Sequence, residues 1–271
     1  MTSPPRSDPG LRLTALHVYP IKSAAGLAPA AWEVDGFGLR YDRRWMVVDP
    51  AGRMISQRTH PRLALVRPAI GEDTLRVETA GMPALELPLA PTPAVSMAVT
   101  VWDDTCAAAW TGERASRWFS DVLEIDCSLV HMPDSTIRPA NTTYAPPGHR
   151  VSFADAYCFL LISEESLADL NGRMPAPLPM NRFRPNLVIA GGRPFGEDAL
   201  TRFRIGELAF LVVKPCDRCV LTTTDQATAE RGHEPLRTLA TYRRREGKVY
   251  FGQNVVHEGR GRLAVGAPLL T

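Results

Sequence analysis

The sequence predicts a β-rich α+β protein built from two β-barrel or sandwich domains with a few helices, and three observations carry that expectation. Among 271 residues there are 24 prolines and 20 glycines, enough chain-breakers to divide the chain into many short elements joined by tight turns. The apolar stretches are short and strand-like. Between them lies HMPDSTIRPANTTYAPPGHR, residues 131–150, which has no periodicity and four prolines. It reads as a linker or long surface loop, so the expected domains are 11–130 and 131–271. Strand and helix alternate too irregularly for a doubly wound sheet.

Residues 1–10 are polar and proline-rich and read as a loose tail. From Leu11 the strand-like stretches are LRLTALHVY, RWMVV, LALV, TLRVE and MAVTVW. Turn chemistry separates them, as at Asp49-Pro50-Ala51-Gly52 and Gly71-Glu72-Asp73. Ala115, Trp118, Phe119 and Val122 repeat at helical spacing and predict a helix over 113–123. Ser163 followed by Glu164 and Glu165 is an N-cap with acids in the first turn, predicting a helix that ends at Gly172. NLVIA after Pro185 and FRIGELAFLVV from Phe203 read as buried strands. Pro235 suits a helix's first turn, with Leu236, Leu239 and Tyr242 as its apolar stripe, and YFG and RLAV close the chain as strands.

Composition excludes several classes of function. With 31 basic against 29 acidic side chains the formal net charge is +2, which is not the footprint of a dedicated nucleic-acid binder. No apolar run reaches the length of a membrane span, and MTSPPRSDPG lacks the apolar core of a secretory signal. The expectation is a cytoplasmic protein without a membrane anchor. Five cysteines, an odd number, imply free thiols in a reducing compartment. Cys106, Cys127 and Cys158 sit singly in apolar surroundings and read as small buried hydrophobes. There is no phosphate-binding P-loop, nucleophile elbow or H-E-x-x-H. Gly191-Gly192 lacks the third glycine of a dinucleotide site, and the histidines are scattered.

Four local clusters stand out, and two of them carry chemistry on their own. In Lys214-Pro215-Cys216-Asp217-Arg218-Cys219 the paired thiols have four readings. A structural zinc site lacks a second ligand pair. A thioredoxin-like pair lacks the helix it should open. The third reading is a thiolate at a strand end, its pKa lowered by Lys214 and Arg218; the fourth is two structural cysteines. Asn181-Arg182-Phe183-Arg184-Pro185-Asn186 places two planar guanidinium groups beside a proline, suited to anion recognition or to a solvated basic turn. Tyr19-Pro20-Ile21-Lys22-Ser23 ends the first strand with a lysine and a hydroxyl, and Asp42-Arg43-Arg44-Trp45 reads equally as an exposed ion-pair face; neither points to a function alone.

Taken in order, YPIKS (19–23), GLRYDRRWMVVD (38–49), FADAYCFLLISEESLADLN (153–171), NRFRPNLVIAGG (181–192), KPCDRCVLTTTD (214–225) and FGQN (251–254) resemble the molybdenum cofactor sulfurase C-terminal, or MOSC, family. The match is to the subgroup with a preceding MOSC N-terminal β-barrel, which includes the amidoxime-reducing components and bacterial reductases of N-hydroxylated compounds. The resemblance implies an N-terminal MOSC β-barrel domain followed by a MOSC β-barrel domain with a few helices. It also implies a molybdenum cofactor (Mo-molybdopterin, with no pyridoxal phosphate) in the cleft between them.

By motif position, the resemblance makes Cys219 the molybdenum ligand and catalytic thiolate, with Cys216 lining the site and the reverse order open. It assigns cofactor contacts to Lys22, Ser23, Arg43, Asp155, Arg182, Arg184, Asn186, Asp217, Arg218 and Asn254. Asp217 and Asn254 depart from the mitochondrial pattern of a serine and an aromatic residue. The remaining cysteines cannot build a four-thiolate cluster, so electrons are expected from a separate flavoprotein, ferredoxin or haem protein. The implied activity is two-electron oxygen removal from amidoximes, hydroxylamines and N-hydroxylated bases. The alternatives are sulfur transfer through a cysteine persulfide and a molybdenum-cofactor carrier.

Overall fold

A computed structural model describes residues 10–91 and 95–271. The tail expected over 1–10 lies outside that range apart from Gly10. The second half of the chain builds a sheet that closes on itself. Its strands run in the order Arg12–Leu16, Leu187–Ala190, Phe159–Ser163, Lys248–Glu258, Leu208–Asp217, Arg202–Ile205 and Leu269–Leu270. The two ends of this path meet where Leu13 N donates to Ala267 O (2.9 Å) and Leu269 N to Leu11 O (2.7 Å). Closure satisfies the backbone groups that an edge strand would leave open. Leu13, Leu161, Ile189, Phe203, Phe210 and Val255 belong to the enclosed core. The one parallel pairing of this sheet, Phe159–Ser163 with Leu187–Ala190, is bridged by the helix Glu164–Gly172, because parallel neighbours need a crossover. Ser163 caps that helix as expected, its Oγ accepting from Ser166 N at 3.1 Å.

In the first half, Trp45–Val48, Ser128–His131, Asp104–Trp110 and Ser96–Val101 form a four-stranded sheet. Arg67–Ile70, Thr74–Glu78 and Leu85–Pro88 form a three-stranded one. Trp45 and Val47 pack with Phe119 and Val122 of the helix Glu113–Leu123, whereas Met46 and Val48 pack with Val99, Val101 and Phe153. Both faces of this strand are covered, which explains its unbroken apolar run. The two halves interlock. Arg12–Leu16 completes the closed sheet, and Gly261–Ala264 pairs with Ala31–Asp35.

Several expectations change in detail. LALV is not a strand: Pro61–Leu65 is a 3-10 helix, since proline fixes φ and lacks a ladder donor. FRIGELAFLVV is a hairpin, Arg202–Ile205 against Leu208–Asp217, turning at Gly206 with φ +58. The helix after Pro235 is a single turn, Leu236–Leu239, so Tyr242 lies beyond it. Residues 131–150 contain no helix, but they are anchored rather than loose, with Arg138, Ala140 and Ala145 buried. Arg138 donates to the carbonyls of Ser152, Ala154 and Asp155 and pairs with Asp104 at 2.8 Å. The backbone that presents Asp155 is thereby held.

Candidate functional site

Seven segments that are far apart in sequence, Arg58 among them, surround a cleft enclosing about 840 Å³ of non-protein space, partly open to solvent. The loop after the first strand brings Lys22 and Ser23, and the loop before Trp45 brings Arg43. The 152–156 segment brings Asp155, and the turn before Leu187 brings Arg184 and Asn186. The strand end at 216–219 brings Cys216, Asp217, Arg218 and Cys219, with Asn254 opposite. Arg182 does not line the cleft. Its guanidinium donates to the carbonyls of Thr222 (3.1 Å) and Thr223 (2.8 Å) and pairs with Asp225 at 3.3 Å. It braces the turn after Cys219 instead.

Ser23, Arg43 and Arg184 have positive φ values of 69, 50 and 56°. Each such non-glycine backbone costs about 1–3 kcal/mol and persists where surrounding contacts over-determine it. Here the contacts are explicit. Arg43 N donates to Tyr19 O (2.7 Å), and Phe153 N donates to Arg43 O (2.9 Å). The Tyr19 ring lies between two guanidinium groups, 4.6 Å from Arg43 and 4.1 Å from Arg184, and its hydroxyl donates to Pro185 O at 3.1 Å.

The charges are unequally compensated. Arg43 Nη1 donates to Asp42 Oδ2 and to Asn186 Oδ1 (3.0 Å). Asn186 also accepts from Leu160 N and donates to His17 O, so its amide works as a rivet. Lys22 Nζ donates to Phe153 O and Asp155 Oδ1, both at 2.6 Å. Burial, opposed by Asp155, pulls the Lys22 ammonium down to about 8. Burial works against ionisation of Asp155, but Lys22 and Arg58 outweigh it and hold the carboxyl below the usual range. Arg184 donates to Ala24 O at 2.6 Å, makes no ion pair among the described residues, and keeps Nη2 buried without a partner. A buried donor left without a partner calls for one that the protein itself does not supply, and a guanidinium is suited to an anion.

The two thiols differ. Bulges between Val212 and Lys214 and between Pro215 and Asp217 interrupt the strand's pairing with Lys248–Glu258, which resumes at Asp217 opposite Tyr250. Cys216 Sγ accepts from Arg218 Nη1 at 3.0 Å. The expected lowering of a cysteine pKa by Lys214 and Arg218 does not hold for Cys216. Burial outweighs Arg218 and pushes this thiol up, while Lys214 pairs with Asp217 at 3.2 Å. Cys219, half-buried, caps the 3-10 turn Val220–Thr223 and accepts from Arg58 Nε at 3.3 Å. Cys106, Cys127 and Cys158 are buried, as their apolar contexts predict.

A family model described as the MOSC N-terminal beta barrel domain matches residues 10–126, and one described as the MOSC domain matches residues 148–269. The chain belongs to the MOSC family. Mouse mitochondrial amidoxime-reducing component 1 is 36% identical over 274 residues, covering 94% of this chain and 80% of that protein. The human protein of the same name is 34% identical, covering 94% and 81%. Rice molybdenum cofactor sulfurase is 32% identical over 89% of this chain, which spans 32% of that protein's length.

The MOSC fold thus carries the expected β-rich architecture, with three α-helices among the described residues. None of these helices is long and apolar enough to cross a membrane. Sequence reasoning missed Arg58 and Trp102. Arg58 sits in SQRTH, which has no periodicity, yet it touches Cys219, reaches Asp155 Oδ2 at 3.4 Å and stacks 4.1 Å from the Trp102 ring. Trp102 Nε1 donates to Asp155 at 3.2 Å. No local signal marks either residue, because both act through contacts between the two halves of the MOSC protein.

Proposed function

We propose that this MOSC protein reduces N-hydroxylated compounds (amidoximes, hydroxylamines and N-hydroxylated bases) with a molybdenum cofactor held in the cleft. The observation that carries the reading is a half-buried thiol, Cys219, facing a cationic wall on which Arg184 Nη2 has no partner. The donor set fits that group. A pterin with a terminal phosphate and an anionic dithiolene needs fixed cations, and a soft thiolate suits molybdenum. The share of length covered also supports a reductase, since the chain spans 80% of the mouse amidoxime-reducing component against 32% of the rice sulfurase.

In this reading Lys22, Arg43 and Arg184 hold the phosphate end, and the Ser23 hydroxyl and Asn254 amide add neutral contacts. Asp155, clamped by Lys22, Arg58 and Trp102, presents its carboxylate to ring N–H donors. Cys219 ligates the metal, with Arg58 as the neighbouring cation. Arg218 holds Cys216 aside and, through Nη2, binds Phe183 O at 2.6 Å. Asp217, between Lys214 and Lys248, lines the outer wall. When bound, the cofactor supplies a two-electron redox centre. The overall conversion takes two electrons and two protons, breaks the N–O bond and releases water. The electrons come from a separate donor protein. The five unpaired cysteines suit a reducing compartment such as the cytoplasm.

The test is metal and pterin analysis of purified protein together with benzamidoxime reduction by dithionite-reduced methyl viologen. Molybdenum and pterin near one equivalent with benzamidine as product supports the reading; loaded protein without turnover overturns it. Two thiols in one cleft and the sulfurase relatives favour sulfur transfer as the second reading. A persulfide on metal-free protein after treatment with a cysteine desulfurase, seen by mass spectrometry, selects that alternative.

A further inference from the structure

A shallow groove on the outer side of the Cys219 turn adjoins the cleft, and the two share Asp217 and Arg218. Its lining includes the apolar side chains of Val220, Leu236 and Val249, and Val220 is 42% exposed. Arg218, Arg237, Arg244 and Lys248 also line it, with Asp217 as the single lining carboxylate. Asp217 is shared between Lys214 (3.2 Å) and Lys248 (3.5 Å). Arg237 and Arg244 are exposed and make no ion pair among the described residues. The protein's overall balance is close to neutral, +2, so this concentration of positive charge is local. A lining that mixes exposed apolar side chains with unpaired cations suits a protein-docking patch, with charge setting partner and approach.

Its position gives the groove a second meaning. Val220 is bonded directly to Cys219, so the groove's lining begins one residue, about 3.8 Å from Cα to Cα, from the cysteine assigned to the metal. We propose that this groove is the docking surface for a small acidic one-electron carrier protein that reloads the site; the proposal rests on the reductase reading above. Two reduced carriers each give up one electron. The N–O bond of the substrate breaks, two solvent protons are taken up, and the products are the amine or amidine and water. Complementary charge accelerates the encounter and makes it sensitive to ionic strength.

The test compares the loaded wild-type protein with the R237E/R244E double variant in benzamidoxime reduction, using two electron sources. One is dithionite-reduced methyl viologen, a small donor that needs no docking. The other is an acidic [2Fe–2S] ferredoxin kept reduced by its flavoprotein reductase. The variant is expected to match wild type with viologen and to lose at least about tenfold in kcat/KM for ferredoxin at low salt. Added salt should slow the wild type with ferredoxin and narrow its advantage over the variant, whose repulsion of the acidic partner it screens. Equal ferredoxin kinetics in both proteins, a parallel loss with viologen, or no binding of ferredoxin to wild type at low salt overturns the proposal. A wild type inactive with viologen overturns the reductase reading instead. In that event, calorimetric binding of ferredoxin by wild type and not by the variant still decides the docking surface.

Discussion

Arg58 Nε lies 3.3 Å from Cys219 Sγ although 161 residues separate them in the chain. The contact is built from both halves of the protein. Arg231 donates to the carbonyls of Gln57 and Arg58, Gln226 bonds to Gln57, and Trp102 stacks on the guanidinium. Arg58→Gln keeps a hydrogen-bonding side chain but removes the charge beside the thiol. Partners that orient a metal ligand are worth about 10–100-fold in metal affinity or activity. That loss is expected in molybdenum content or turnover, with the thermal unfolding midpoint and circular dichroism close to wild type.

The two thiols should separate cleanly. Cys219→Ala is expected to abolish molybdenum retention. Cys216→Ala is expected to keep it, because the Cys216 thiol, half-buried like Cys219, is taken up by Arg218. Metal analysis of the two purified variants checks this. A Cys216→Ala protein that loses the metal while Cys219→Ala keeps it reverses the assignment.

Lys22 gives a pH signature. Its ammonium titrates near 8 in the fold against 10.5 in the unfolded chain. Between those values the unfolded state binds more protons, so stability rises with pH. The cost of burying charged Lys22 is complete below about 8 and is relieved as pH climbs to 10.5. Wild type should therefore gain stability relative to Lys22→Met across that window, by up to about 3 kcal/mol. Denaturant unfolding at a series of pH values reads the difference, and a flat or falling trend contradicts the assignment.

Gly26 is expected to tolerate no side chain. A Cβ there would stand 2.5 Å from Tyr19 Cε1 and 2.8 Å from Cδ1. The ring cannot swing away, being held by Arg43, Arg184 and the carbonyl of Pro185. Gly26→Ala should destabilise the protein by about 1–3 kcal/mol and loosen retention of the pterin. Gly172→Ala is the control, since nothing lies within 4 Å of its Cβ position. Thermal unfolding of both variants, with pterin quantified, tests the contrast.

What was legible in the sequence follows from the range of the forces involved. The helix Glu113–Leu123 and the Ser163 cap could be read because spacing and capping are local. Strands such as Ala31–Asp35, Leu85–Pro88 and Asp104–Trp110 were not anticipated. Short strands with mixed exposure have little periodicity of their own, and their partners define them. LALV read as a strand by composition, but Pro61 and the His60 carbonyl, which accepts from Leu63 N, turned it into a 3-10 helix.

By itself the sequence determined a β-rich protein of the MOSC family, the separate segments that supply its cations and thiols, and the Ser163-capped helix. These are properties of composition, local geometry and ordered motifs. Only the tertiary structure decided how those residues are used. It turned Arg182 away from the cleft and made Asn186 a rivet. It left Arg184 with an unpartnered donor and carried Arg58 to Cys219. Each of these depends on which groups meet across the fold and how much water remains between them, and neither is encoded in neighbours along the chain.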